Sequence, residues 1–128
     1  MANLTSEMKD DPSILGMIAV YRRIQRQYAS FDINGQPVMS DGAFRTKELS
    51  VFRCDRVTQA EVLHGHPDDG LAEITIQSIR DAGCIVMYDE PPPGHIIAQR
   101  ADAPGTRISN PSATKMARAA RWVKWPKP

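Results

Sequence analysis

The run LAEITIQSIRDAGCIVMY, residues 71–88, reads as a strand, a short helix and a second strand. Leu71 to Ile74 is extended and apolar, and the Thr75 hydroxyl is placed to cap Ile76 to Ala82. Gly83 can take the positive φ that ends a helix, and Cys84 to Tyr88 returns to strand residues. Downstream, Pro91-Pro92-Pro93-Gly94 cannot donate into a sheet, so it separates that strand from His95 to Gln99 and predicts an antiparallel pair joined by a long loop.

Working upstream, Glu48 to Cys54 alternates Leu49, Val51 and Arg53 against Ser50, Phe52 and Cys54, the pattern of a strand with one buried face. Asn34-Gly35 marks a hairpin between Tyr28–Ile33 and Pro37–Met39, and Ser40-Asp41-Gly42 makes another turn. Thr58 with Glu61 forms a capping box that opens a helix of about two turns, stopped near Gly65. Asp10-Asp11-Pro12 predicts a short helix with Ile14, Leu15 and Ile18 on one face. Past Ala19, Val20 and Ile24 alternate with Arg22 and Arg23 in a way that suits a strand. Asn110-Pro111-Ser112 predicts a final helix over 110–125, ended by Pro126. The expectation is α+β: a mostly antiparallel sheet of about five strands, short helices and a basic C-terminal helix, in one domain over 1–128 with polar residues 1–9 frayed.

Composition narrows the class. With 41% apolar and 24% charged residues in 128, the chain suits a soluble globular domain that needs no metal or disulfide to fold. The apolar run Ile14 to Tyr21 is far below the ~20 residues that cross a bilayer, so we expect no membrane association and a cytoplasmic protein. Cys54 and Cys84 are too few for a disulfide framework and read as reduced, buried thiols, with a single bridge left open.

Net charge of +1 conceals a dipole. Residues 103–128 contain six cations, Arg107, Lys115, Arg118, Arg121, Lys124 and Lys127, no acid, and both tryptophans. On a helix, Ala113, Met116, Ala117, Ala120 and Val123 form an apolar stripe, which leaves Lys115, Arg118, Trp122 and Trp125 outward with Arg121 and Lys124 beside them. Cations neutralise phosphates and indoles stack on bases or anchor in protein grooves, so this face predicts a protein or nucleic-acid partner. A solvated face with indoles folded onto the body is the plainer reading.

Two groups of residues carry candidate chemistry. His64, His66, Asp68 and Asp69 have the donor types of a zinc site. His66-Pro67-Asp68-Asp69 resembles the zinc motif of LmbE-like de-N-acetylases, which also requires a further histidine downstream; only His95 follows, and a polar turn explains the run as well. His95, after the triple proline, stands where an acid or base could work, with no nucleophile tied to it by spacing.

Tyr21-Arg22-Arg23-Ile24, Ser40 with Ala43-Phe44, and Glu48-Leu49-Ser50-Val51 together resemble a loose pattern in short bacterial proteins of unassigned function. An arginine on an early strand followed by a serine-led strand is also similar to ADP-ribosyltransferase-like folds. That resemblance implies a pyrophosphate role for Arg22 and a place for Ser40 under the nicotinamide ribose. Such enzymes use a late glutamate, for which only Glu73 and Glu90 are available. In the absence of a catalytic motif, the leading expectation is a small bacterial accessory protein without cofactor or catalysis, acting through its C-terminal helix, with a homo-oligomer left open. The alternative is a nucleotide- or NAD-using ADP-ribosyltransferase-like enzyme working through Arg22, Ser40 and His95.

Overall fold

The computed structural model describes residues 9–128, and the expected frayed segment therefore lies, apart from Lys9, outside the described residues. The strands are β1 (Ala19–Ile24), β2 (Ala29–Phe31), β3 (Pro37–Met39), β4 (Leu49–Arg53), β5 (Gly70–Thr75), β6 (Cys84–Tyr88), β7 (His95–Arg100) and β8 (Arg121–Lys124). The helices are α1 (Gln59–Val62), α2 (Ile76–Asp81) and α3 (Asn110–Ala119). One sheet has six strands in the order β6-β7-β4-β1-β5-β8, with every pairing antiparallel, and β2 and β3 form a separate ribbon. The protein is thus α+β, with one strand more in its main sheet than expected.

Alternation sorts the sheet into two faces. Val20, Ile24, Leu49, Val51, Ile74, Val86, Ile96 and Ala98 point into the core, where Ile76 and Ile79 of α2, Ala113 and Met116 of α3, and Phe44 meet them. Register places Tyr21 beside Phe52 and Phe52 beside His95, so these residues share the opposite face. The predicted caps are present: the Thr58 hydroxyl accepts from the Glu61 amide at 3.1 Å, the Glu61 carboxylate accepts from the Thr58 amide at 2.9 Å, and Thr75 caps α2.

Two expected helices are corrected. No helix follows Pro12, because the Asp11 carboxylate accepts from the Ser13 amide and hydroxyl at 2.9 and 2.6 Å, closing a turn instead of feeding a helical ladder. The Asp11 amide donates to Val86 O, and Arg80 holds Asp10 and Asp11 O, so the segment straps across β6 and α2 and buries Ile14.

The C-terminal helix ends at Ala119 rather than reaching Trp125. Ala120 is extended and residues 121–124 add a strand to the open edge of β5, where backbone pairing satisfies both edges. The Trp122 indole then packs on Gly70, where a Cβ would stand 2.7 Å from the ring, and its Nε1 donates to Pro37 O.

Candidate functional site

A gap in the sheet creates the site. β1 pairs with β5 along its whole length but with β4 only at Val20–Arg53 and Tyr21–Phe52. Beyond that point Arg22 takes over the hydrogen bonding that the ladder gives up. Its Nη1 donates to Ser50 O at 3.1 Å, while Nε and Nη2 donate to Ala43 O at 3.1 and 2.8 Å. No carboxylate pairs with it among the described residues. Loss of water, and then the neighbouring Arg23 charge, pull the Arg22 guanidinium down to about 10, still protonated at neutral pH.

A guanidinium has five N–H groups, so these three bonds leave one on each terminal nitrogen for something else. The gap is a cavity of about 240 Å3 lined by Arg22, Arg23, Ser50, Phe52, Val62, His64 and His66. Spare N–H groups on a planar cation that borders a cavity suit the oxygens of a phosphate or carboxylate. Arg23 contributes further positive charge, although its Nη1 already pairs with Asp69 at 2.8 Å.

Next to Arg22 lies a hydrogen-bonded pair that the sequence left unconnected. Ser50 Oγ stands 2.5 Å from His95 Nε2, and His95 Nδ1 stands 2.8 Å from Asp89 O and 3.5 Å from the Asp89 carboxylate. A carbonyl oxygen can only accept, so Nδ1 carries a proton. In neutral His95 that leaves the Nε2 lone pair to accept from the Ser50 hydroxyl. Phe52 stacks on the same imidazole with centroids 4.9 Å apart, which holds the ring flat against the sheet. The pair can pass a proton from the Ser50 hydroxyl, which borders the gap, to His95 Nε2.

Ser50 touches both Arg22 and His95, its main-chain carbonyl accepting from Arg22 and its hydroxyl bonding to His95, but His95 is not among the residues that line the gap, and Ser40 lies outside it. The Ser40 hydroxyl caps the turn 41–44 by accepting from Gly42 N, and its contribution is to hold Ala43 O under Arg22. Neither late glutamate reaches the gap, for Glu73 pairs with Arg121 at 2.6 Å and Glu90 accepts from Gly94 N at 2.7 Å. Ser50, Arg23, Phe52 and Asp89 were not singled out from the sequence. The alternation of Leu49 and Val51 against Ser50 and Phe52 was the available signal for two of them.

The remaining candidates are dispersed or occupied. His64 and His66 line the gap, but Asp69 is held by Arg23, and Asp68 is bridged by Lys127 at 3.3 Å and Arg26 at 3.8 Å. Among the described residues no three His, Cys, Asp or Glu side chains gather as a metal requires, which corrects the zinc grouping of His64, His66, Asp68 and Asp69.

The tail residues do not form one helical face, because only Lys115 and Arg118 lie on α3. Lys115 donates to Asp81 O, Arg121 pairs with Glu73, and Lys124 donates to Pro67 O and Asp69 O. Trp122 is half-buried against the body, whereas Trp125 is 55% exposed. Both thiols are free. Burial, and for Cys54 also the Glu73 charge, pushes each up to about 11, which removes them as nucleophiles at neutral pH. No family model, curated protein or solved structure matches the chain.

Proposed function

We propose that the protein is a nucleotide-using enzyme of ADP-ribosyltransferase-like type, with its site in the gap between β1 and β4. The observation that carries this reading is the Arg22 guanidinium, bonded among the described residues only to carbonyls, one of them that of a serine whose hydroxyl is bonded to a histidine. A partly buried cation without a counter-ion is costly unless an anion arrives to use it. A phosphate group fits the two free donors of Arg22, and Arg23 adds to the local positive potential.

In this reading Arg22 and Arg23 anchor the phosphate or pyrophosphate, and the Ser50–His95 pair faces the reacting end. Asp89 O accepts the Nδ1 proton, so the His95 Nε2 lone pair can take, through Ser50 Oγ, the proton of an acceptor hydroxyl whose oxygen bonds to the ribose C1′ as the C1′–nicotinamide bond breaks and nicotinamide leaves. The base is a histidine where a glutamate would be expected from the resemblance.

Calorimetric titration with NAD and ADP-ribose tests the anchor. We expect binding of the wild type and at least a tenfold loss in Arg22→Lys, because an ammonium cannot reproduce the planar fork. Equal affinity in the two proteins, or no binding of either compound, overturns the reading. Consumption of NAD that survives Arg22→Lys but is lost in His95→Gln would locate the chemistry without the anchor and overturn the role given to Arg22.

A further inference from the structure

The gap shares a wall with a second cleft. Phe52, Val62 and His64 line both, and the second cleft continues between α1 and the proline turn, bounded by Arg56, Val57, Ala60, Glu61, Pro92 and Pro93. This cleft measures about 620 Å3. Its walls are largely apolar, with Arg56 and Glu61 as the charged side chains. The gap alone, at about 240 Å3, lies below the roughly 300–1,000 Å3 of ordinary small-molecule sites, and the two joined lie within it.

Both walls are held before any ligand arrives. The reciprocal Thr58–Glu61 bonds fix the first turn of α1. Gly94, at φ +81°, lets the proline turn close onto the chain after β4, for a Cβ there would stand 2.6 Å from Arg56 Cβ, and the Glu90 carboxylate holds the Gly94 amide. Triple proline adds a wall whose φ angles are locked. A rigid apolar slot floored by an aromatic ring and joined to an anion site suits a flat ring that arrives attached to a phosphate.

We propose that the cleft between α1 and Pro92–Pro93 is the seat of a planar heterocyclic base, so that the ligand of this site is a nucleotide and not a phosphorylated sugar. This rests on the reading of Arg22 as the phosphate anchor. The phosphate lies in the gap, the ribose passes Phe52 and His64, and the base lies between Ala60 and the prolines.

Titration with ribose 5-phosphate, AMP and nicotinamide mononucleotide separates the two claims. In the wild type we expect at least one of the mononucleotides to bind tenfold or more tightly than ribose 5-phosphate. Ala60→Trp fills the cleft from an exposed position of α1 and should bring the mononucleotides to the level of the sugar phosphate, which itself keeps its affinity. Phe52→Leu should reduce the same preference by loss of stacking, with unchanged circular dichroism showing that the sheet survives. Equal affinities for all three probes in the wild type overturn the base seat, and if ribose 5-phosphate still responds to Arg22→Lys the anchor stands. A preference that Ala60→Trp leaves intact also overturns the seat. If none of the three binds, the anchor fails and the seat fails with it.

Discussion

The two cationic regions of this protein behave in opposite ways. The tail concentrates six basic residues in 26, yet Arg121 ends on a carboxylate, Lys127 on another, and Lys115 and Lys124 on carbonyl groups. Among the described residues the gap is lined by two arginines: Arg23 pairs with Asp69, while Arg22 donates three bonds to carbonyl groups and keeps two N–H groups over. Charge density in a sequence measures how many cations there are. A site depends instead on whether one of them is left with donors to spare in a place that water does not freely reach.

The sharpest way to break this contrast is at the tryptophans. If the tail is body rather than binding surface, Trp122→Ala removes an indole packed on Gly70 and the core, and should cost about 3 kcal/mol in urea unfolding, near the low end for large-to-small changes. Trp125→Ala should stay within about 0.5 kcal/mol, as exposed substitutions do. Equal, negligible losses would restore Trp122 to the surface.

Arg22→Ala comes next. It leaves Ala43 O and Ser50 O without their side-chain donor, for which we expect a loss of about 2 kcal/mol together with loss of phosphate-ester binding. Arg118→Ala should change neither, because no carboxylate holds it among the described residues.

A smaller effect sharpens the wall of the base seat. Thr58→Ala removes one half of the capping box and should cost about 1 kcal/mol, with weaker AMP binding and unchanged ribose 5-phosphate binding.

The thiols give the smallest signal and a defined sign. Folding raises Cys54 and Cys84 from 9.0 to about 11, so the folded state favours their neutral forms. Their contribution is full below pH 9 and is lost as pH rises from 9 through about 11. Unfolding measured across that window should show declining stability, flattened in Cys54→Ser and Cys84→Ala. Labelling by a thiol reagent at pH 8 should be slower than for a free cysteine.

Much of the fold was legible because local signals agreed. The Thr58–Glu61 box, the Thr75 cap, Gly83 at φ +96° and the alternation of Leu49 to Arg53 each act within a few residues, and all are realised. The C-terminal helix was misread because helix periodicity continues through Val123 in sequence, while the bonding opportunity at the edge of β5 exists only once the sheet has formed. The strap at residues 10–18 was misread for a similar reason: Asp11 caps whatever amide is nearest, and Val86 and Arg80 decide where the chain goes.

For the candidate site, the sequence offered Arg22, Ser40 and His95, whereas the serine that touches both Arg22 and His95 in the structure is Ser50. Ser40 lies near a turn and reads as prominent, whereas Ser50 is one polar residue within a strand. Only the antiparallel register, which sets β4 between β1 and β7, brings Ser50 between a cation and an imidazole separated by 73 positions.

The sequence by itself determined the caps, the turns, the strands β4 to β7 and which of their residues face the core, because these follow from dihedral preference and period. The tertiary structure decided that β1 and β4 part beyond Tyr21, that Arg22 fills the opening, and that Lys115, Arg121, Lys124 and Lys127 of the tail bond to the body. Those outcomes depend on which hydrogen-bonding groups remain unpaired after the sheet is assembled, and no local pattern records that.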